Sequence, residues 1–74
     1  MKDNQIKVGD LVYHVTEAEF GIIYDIDIEA EAVGIVEPMA KIFWQIKQKP
    51  SIHYLANLTD KIRYNFIIYY PSET

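Results

Sequence analysis

The apolar residues of this chain come in short bursts, and that spacing constrains its fold more than any other feature. Runs rich in Val, Ile, Tyr and Phe span 11–15, 21–28, 33–36, 39–46, 52–55 and 66–70, and none is long enough for a sustained amphipathic helix. β-Branched and aromatic side chains fit a pleated surface, so each run is expected to be a strand or part of one. Punctuation falls between them. Gly9-Asp10 opens the first run, Glu37-Pro38 interrupts the middle, and Lys49-Pro50-Ser51 is expected to turn the chain. Pro71 ends the last strand because it has no amide hydrogen to donate. Several short strands at small spacing read as an all-β barrel or sandwich.

Three stretches need a closer reading. In FGIIYDID (20–27), alternation places Ile22, Tyr24, Ile26 and Ile28 on one face and Asp25, Asp27, Glu29 and Glu31 on the other. The segment 28–36 (IEAEAVGIV) contains the helix formers Glu29, Ala30, Glu31 and Ala32, yet is expected to be a strand or extended loop. Asn57-Leu58-Thr59-Asp60 carries side chains that hydrogen-bond their own backbone, so a single 3₁₀ turn is expected to lead into the last strand.

Length allows one domain, 1–74, with one core, and a chain of this size buries only roughly 60% of the surface it exposes when unfolded. Half its residues are hydrophobic and 14% aromatic, which argues for a folded chain and against disorder. There is no Cys, so packing and backbone pairing must supply all the stability, as suits a reducing compartment. MKDNQIKVGD has no apolar core of signal-peptide length, and no run approaches the roughly 20 apolar residues of a membrane span. A cytoplasmic protein with no membrane partner is the expectation.

The net charge of −4 is unevenly spread. From 13 to 40 there are seven acids and no Lys or Arg; from 41 to 63 there are five bases (Lys41, Lys47, Lys49, Lys61, Arg63) against Asp60 alone. The chain is electrically polarised along its length.

VGDLVYH (8–14), FGIIYDID (20–27), AKIFW (40–44) and PSIHYLANL (50–58) together resemble the small SH3-like barrel proteins found among uncharacterised gene products of tailed bacteriophages. The resemblance covers roughly 7–62. It implies an SH3-like barrel of about five antiparallel strands with a short 3₁₀ turn before the last, related in shape to KOW and Tudor modules. It supplies no catalytic residues. The connection 27–40 is longer than the family pattern implies, and 66–70 is an added apolar segment.

Each candidate site has a plainer alternative. Alternating carboxylates at 25, 27, 29 and 31 stand nearly 7 Å apart at roughly 3.3 Å per residue, too far for one Ca²⁺, and the position where the loop motif needs Gly holds Ala30. A solvated strand face is expected instead. His14 and His53 are the only imidazoles, and on separate strands they are expected to serve no metal. Ser51, Thr59, Ser72 and Thr74 fall in expected turns or at the terminus, and Thr16 has no evident partner, so no catalytic residues, no cofactor and no enzyme activity are expected. Tyr13, Phe43, Trp44 and Tyr54 form a candidate aromatic ligand patch, with core filling as the alternative, because related folds hold peptides or stack bases on such surfaces. Lys41, Lys47, Lys49, Lys61 and Arg63 form a candidate basic strip.

The expectation is a binding module acting on another protein, encoded by a phage as an accessory or virion-associated component, in the host cytoplasm or the virion. A nucleic-acid module of KOW or Tudor type is the first rival and a homo-oligomeric structural subunit the second.

Overall fold

The computed structural model describes residues 6–32 and 34–72, so Val33, which begins one apolar run, and Thr74 lie outside the described residues. Its elements are β1 (Leu11–His14), β2 (Glu19–Asp27), β3 (Glu31–Ala32), β4 (Ile35–Val36), β5 (Met39–Trp44), β6 (Lys49–Tyr54), α1 (Leu55–Arg63) and β7 (Ile67–Tyr70). Five strands form one antiparallel sheet in the order β6-β5-β2-β1-β7. This is the small, all-β, barrel-like fold that the strand pattern implies. The long connection from 27 to 40 holds the separate hairpin β3–β4, closed by the amide of Glu37 on the carbonyl of Ala30 at 2.7 Å.

One hydrophobic cluster fills the inner side: Val12, Ile23, Ala40, Ile42, Trp44, Leu58 and Ile67. Strict alternation on β5 puts Ala40, Ile42 and Trp44 inward. β2 does not keep a single phase. Its register against β5 shifts between Ile23 and Asp25, which leaves Tyr24 as an extra residue, so Gly21 and Ile23 point inward before the bulge and Ile26 turns inward after it, opposite Ala40. The expected single face of Ile22, Tyr24, Ile26 and Ile28 is therefore corrected. Ile22 and Tyr24 are on the outer side, and Ile28 lies beyond the strand, exposed.

Trp44 needs Gly21. A Cβ at position 21 would come within 2.6 Å of the indole Cε3 and 2.7 Å of Ile42 Cγ2, so only hydrogen fits where the ring crosses β2.

The expected 3₁₀ turn is instead an α-helix of nine residues. Leu55, Leu58 and Ile62 recur at helical spacing and pack on the core, with Leu58 fully buried. Its end is a Schellman closure: Asn65, at φ 67, sends its amide to the carbonyl of Ile62, and the amide of Phe66 reaches that of Lys61 at 2.9 Å. Lys61 and Arg63 in the last turn complement the helix dipole.

The expected turn at 49–51 is also corrected, because those residues begin β6 and the turn lies at 45–48. β6 is an edge strand. The amide of Leu55 donates to the carbonyl of Pro38, which makes Met39/Tyr54 a non-hydrogen-bonded pair and, by alternation, Phe43/Pro50 another. The nitrogen of Pro50 therefore faces the free edge, where no ladder bond is lost.

Candidate functional site: an apolar outer sheet face

An apolar band crosses the outer side of all five strands, with Lys41, Asp25 and Asp27 beyond it toward the other end of β2 and β5. Cross-strand partners line up as Tyr70–Leu11–Ile22–Phe43–Pro50, and beside them runs a second row, Ile68–Tyr13–Phe20. Leu11, Phe20, Ile22, Ile68 and Tyr70 each keep about two fifths of their surface in solvent, while Tyr13 and Phe43 are half-buried among them. The rings of Tyr13 and Phe20 meet edge to face at 4.8 Å, and Phe20 lies 6.1 Å from Tyr70, which gives one aromatic cluster spanning β2, β1 and β7. Ile52, 59% exposed on β6, extends the apolar surface beside Lys41.

This geometry divides the candidate aromatic patch. Tyr13 and Phe43 belong to the outer face. Trp44 does not: at 5% exposure it is core, and its indole N–H donates to Ser51 Oγ at 2.7 Å. Tyr54 shares the outer parity but sits opposite Met39, at the other end of β5 from Phe43. Leu11, Phe20, Ile22, Ile68 and Tyr70 were not singled out from sequence. The available signal was β2 itself, where 20–24 is apolar on both parities apart from Gly21, so that one apolar side had to face out.

The five bases of the candidate strip are spread over β5, the 45–48 turn, β6 and α1. Lys41 sits on the outer side of β5, 3.5 Å from Asp25; Lys47 lies in the 45–48 turn, 3.2 Å from Glu17; Lys49 is at the start of the edge strand; Lys61 and Arg63 are on α1, where Arg63 is 3.7 Å from Asp60. Antiparallel pairing of acidic β2 with basic β5 folds the charge polarity of the chain back on itself.

Of the carboxylate row, Asp25 is ion-paired with Lys41 and Asp27 Oδ1 accepts the amide of Glu29 at 3.0 Å; all four acids are exposed, but they do not form the expected strand face, because only Asp25 and Asp27 lie on β2, while Glu29 is in a turn and Glu31 in β3. Among the described residues no group of three or more His, Asp or Glu is arranged to hold a metal ion.

The two histidines flank Trp44. His14 meets the indole edge to face at 5.8 Å and accepts the amide of Glu17 on Nδ1 at 3.1 Å. On the other side, Ser51 Oγ lies 2.7 Å from His53 Nε2. Ser51 is thus in a strand and paired with a base, not in a turn as the sequence implied. Its hydroxyl accepts from Trp44 and shares a hydrogen bond with His53, whose pKa is pushed down by burial and then by the nearby Lys61 and His14 charges. The chain of contacts satisfies the buried indole. Among the described residues no carboxylate is hydrogen-bonded to His53 in the way that a hydrolytic triad orients its base.

Two buried carboxylates complete the polar inventory. Asp10 receives the amides of Lys7 and Ser72 and the phenol of Tyr69, joining the start of the domain to its last strand. Glu19, 3% exposed, has Oε1 at 4.0 Å from Lys47 Nζ and Oε2 without a hydrogen-bond partner among the described residues.

No family model, curated protein or solved structure matches the chain. No helix among the described residues is long and apolar enough to cross a membrane.

Proposed function

We propose that the protein is a non-enzymatic binding module whose outer sheet face docks another protein, in keeping with a phage accessory or virion-associated role. The apolar ladder from Tyr70 to Pro50 carries this reading. A sheet with one wet side ordinarily alternates apolar inward with polar outward. Here the core is already supplied by Val12, Ile23, Ile42 and Trp44, so the second apolar layer adds nothing to the interior. A contiguous exposed apolar patch of that kind marks an interaction surface. Its Tyr and Phe content suits a protein interface, where aromatic anchors are enriched.

The nucleic-acid reading has less support, because affinity for phosphate backbones depends on cations free to displace counterions. Three of the five bases in question already face acids.

The test is a pair of outer-face variants, Phe20→Asp and Ile22→Lys, each checked for folding by circular dichroism. Both are expected to abolish saturable binding of the partner, and Lys61→Glu on the helix is expected to leave it intact. Micromolar binding of DNA or RNA at about 0.15 M salt, lost on Lys47→Glu with Lys49→Glu, would replace this reading with the nucleic-acid one.

A further inference from the structure

We infer that the occupant of the outer face is a second copy of this chain, with two sheets stacked face to face about a two-fold axis. The inference rests on reading that face as a protein-docking surface, and it adds the identity of the partner.

Area is the first argument. A fully exposed Phe or Tyr presents about 200 Å² and the aliphatics somewhat less, so the exposed fractions of Leu11, Phe20, Ile22, Ile52, Ile68 and Tyr70 come to roughly 500 Å². Two such faces in contact bury on the order of 1,000 Å², where specific interfaces begin, before the half-buried rings of Tyr13 and Phe43 are added. In a two-fold contact the same patch serves both sides, so a single apolar face is sufficient.

Charge is the second. Both rows of the ladder are uncharged, and the ion pair of Lys41 with Asp25 beside them is internally neutral. A basic partner finds no uncompensated carboxylate within the ladder, and an acidic one finds no free cation. Another copy brings an equally neutral apolar ladder, while Asp27 lies toward the far end of β2, opposite Met39, and the exposed acids Glu17, Glu29, Glu31 and Glu37 lie in turns and the β3–β4 hairpin.

Geometry is the third. Antiparallel sheets pack face to face at about 10 Å with their side chains interdigitated, and the result is a β-sandwich. Growth by strand addition at β6 is obstructed, because Pro50 presents a nitrogen without a hydrogen to that edge. The sheet therefore offers its face in preference to that edge.

Sedimentation velocity on the full chain, from low to several hundred micromolar, tests the inference. The wild type is expected to move from 8.7 kDa to twice that mass. Ile22→Lys and, independently, Phe20→Asp are expected to weaken self-association by at least about tenfold. Should either variant fold poorly, wild-type amide NMR shifts give a second readout, with concentration dependence expected at the outer residues of β1, β2, β5 and β7 and not on α1. A wild type that stays at 8.7 kDa throughout, or a dimer that survives both substitutions, overturns the two-copy inference. The broader reading of the face falls separately: it fails if a different protein bound by the wild type is still bound by Ile22→Lys.

Discussion

The phenol of Tyr69 donates to the carboxylate of Asp10 across 2.5 Å and 59 positions of sequence. Burial by itself pushes the Asp10 carboxyl up, but the bonds from Tyr69, Ser72 and Lys7 outweigh it and hold the group below its ordinary value of 3.8. Burial and the same carboxylate push the Tyr69 phenol well above its usual range. A depressed carboxylate contributes stability that is present above its unfolded pKa and lost as pH falls through the folded one. Denaturant unfolding of the wild type is therefore expected to weaken below about pH 4, and Asp10→Asn should flatten that dependence. Tyr69→Phe should cost about 1–3 kcal/mol at neutral pH. Parallel pH profiles for wild type and Asp10→Asn would remove Asp10 from the account.

Gly21 gives up a side chain so that the Trp44 ring can pack against β2. Gly21→Ala is expected to destabilise by roughly 1–3 kcal/mol through overpacking. Each kcal/mol corresponds to about 4–8 °C in the melting temperature of a domain this small. A melting temperature equal to that of the wild type would mean the core yields more easily than its contacts imply.

Ala18 closes the β1–β2 turn at φ 56, its amide bonded to the carbonyl of His14 at 2.8 Å. The left-handed region is costly for a residue with a Cβ and free for glycine. Ala18→Gly should accordingly raise stability by up to about 1 kcal/mol, read as a higher urea midpoint with an unchanged slope. A lower midpoint would show that chain entropy outweighs relief of the strained backbone.

Glu19 and Lys47 should respond unequally to neutralisation. Lys47→Met leaves a buried carboxylate with one oxygen already unpartnered, and is expected to cost about 1–3 kcal/mol. Glu19→Met removes the buried charge and should be neutral or stabilising. The double variant should recover what Lys47→Met loses, and a double-mutant cycle in which the two costs simply add would refute the coupling.

The residue order alone determined much of this protein. Short β-branched and aromatic runs bounded by Gly9, Pro38 and Pro71 specify strands, because a two-residue period and a missing amide are local properties. Tertiary structure decided what locality leaves open. β2 is apolar on both parities, so register against β5 and the bulge at Tyr24 chose Ile23 for the core and left Phe20 and Ile22 outside. The same register placed Trp44 inside and Phe43 outside, splitting a pair that composition treats alike. Residues 57–60 look like a turn by side-chain chemistry, yet Leu58 seated on the core and Asn65 in the left-handed region complete a helix. Charge polarity along the chain was partly cancelled in space by antiparallel pairing that brought Asp25 to Lys41 and Glu17 to Lys47. In each case the deciding energy lay between residues distant in sequence, where only the packed sheet brings them together.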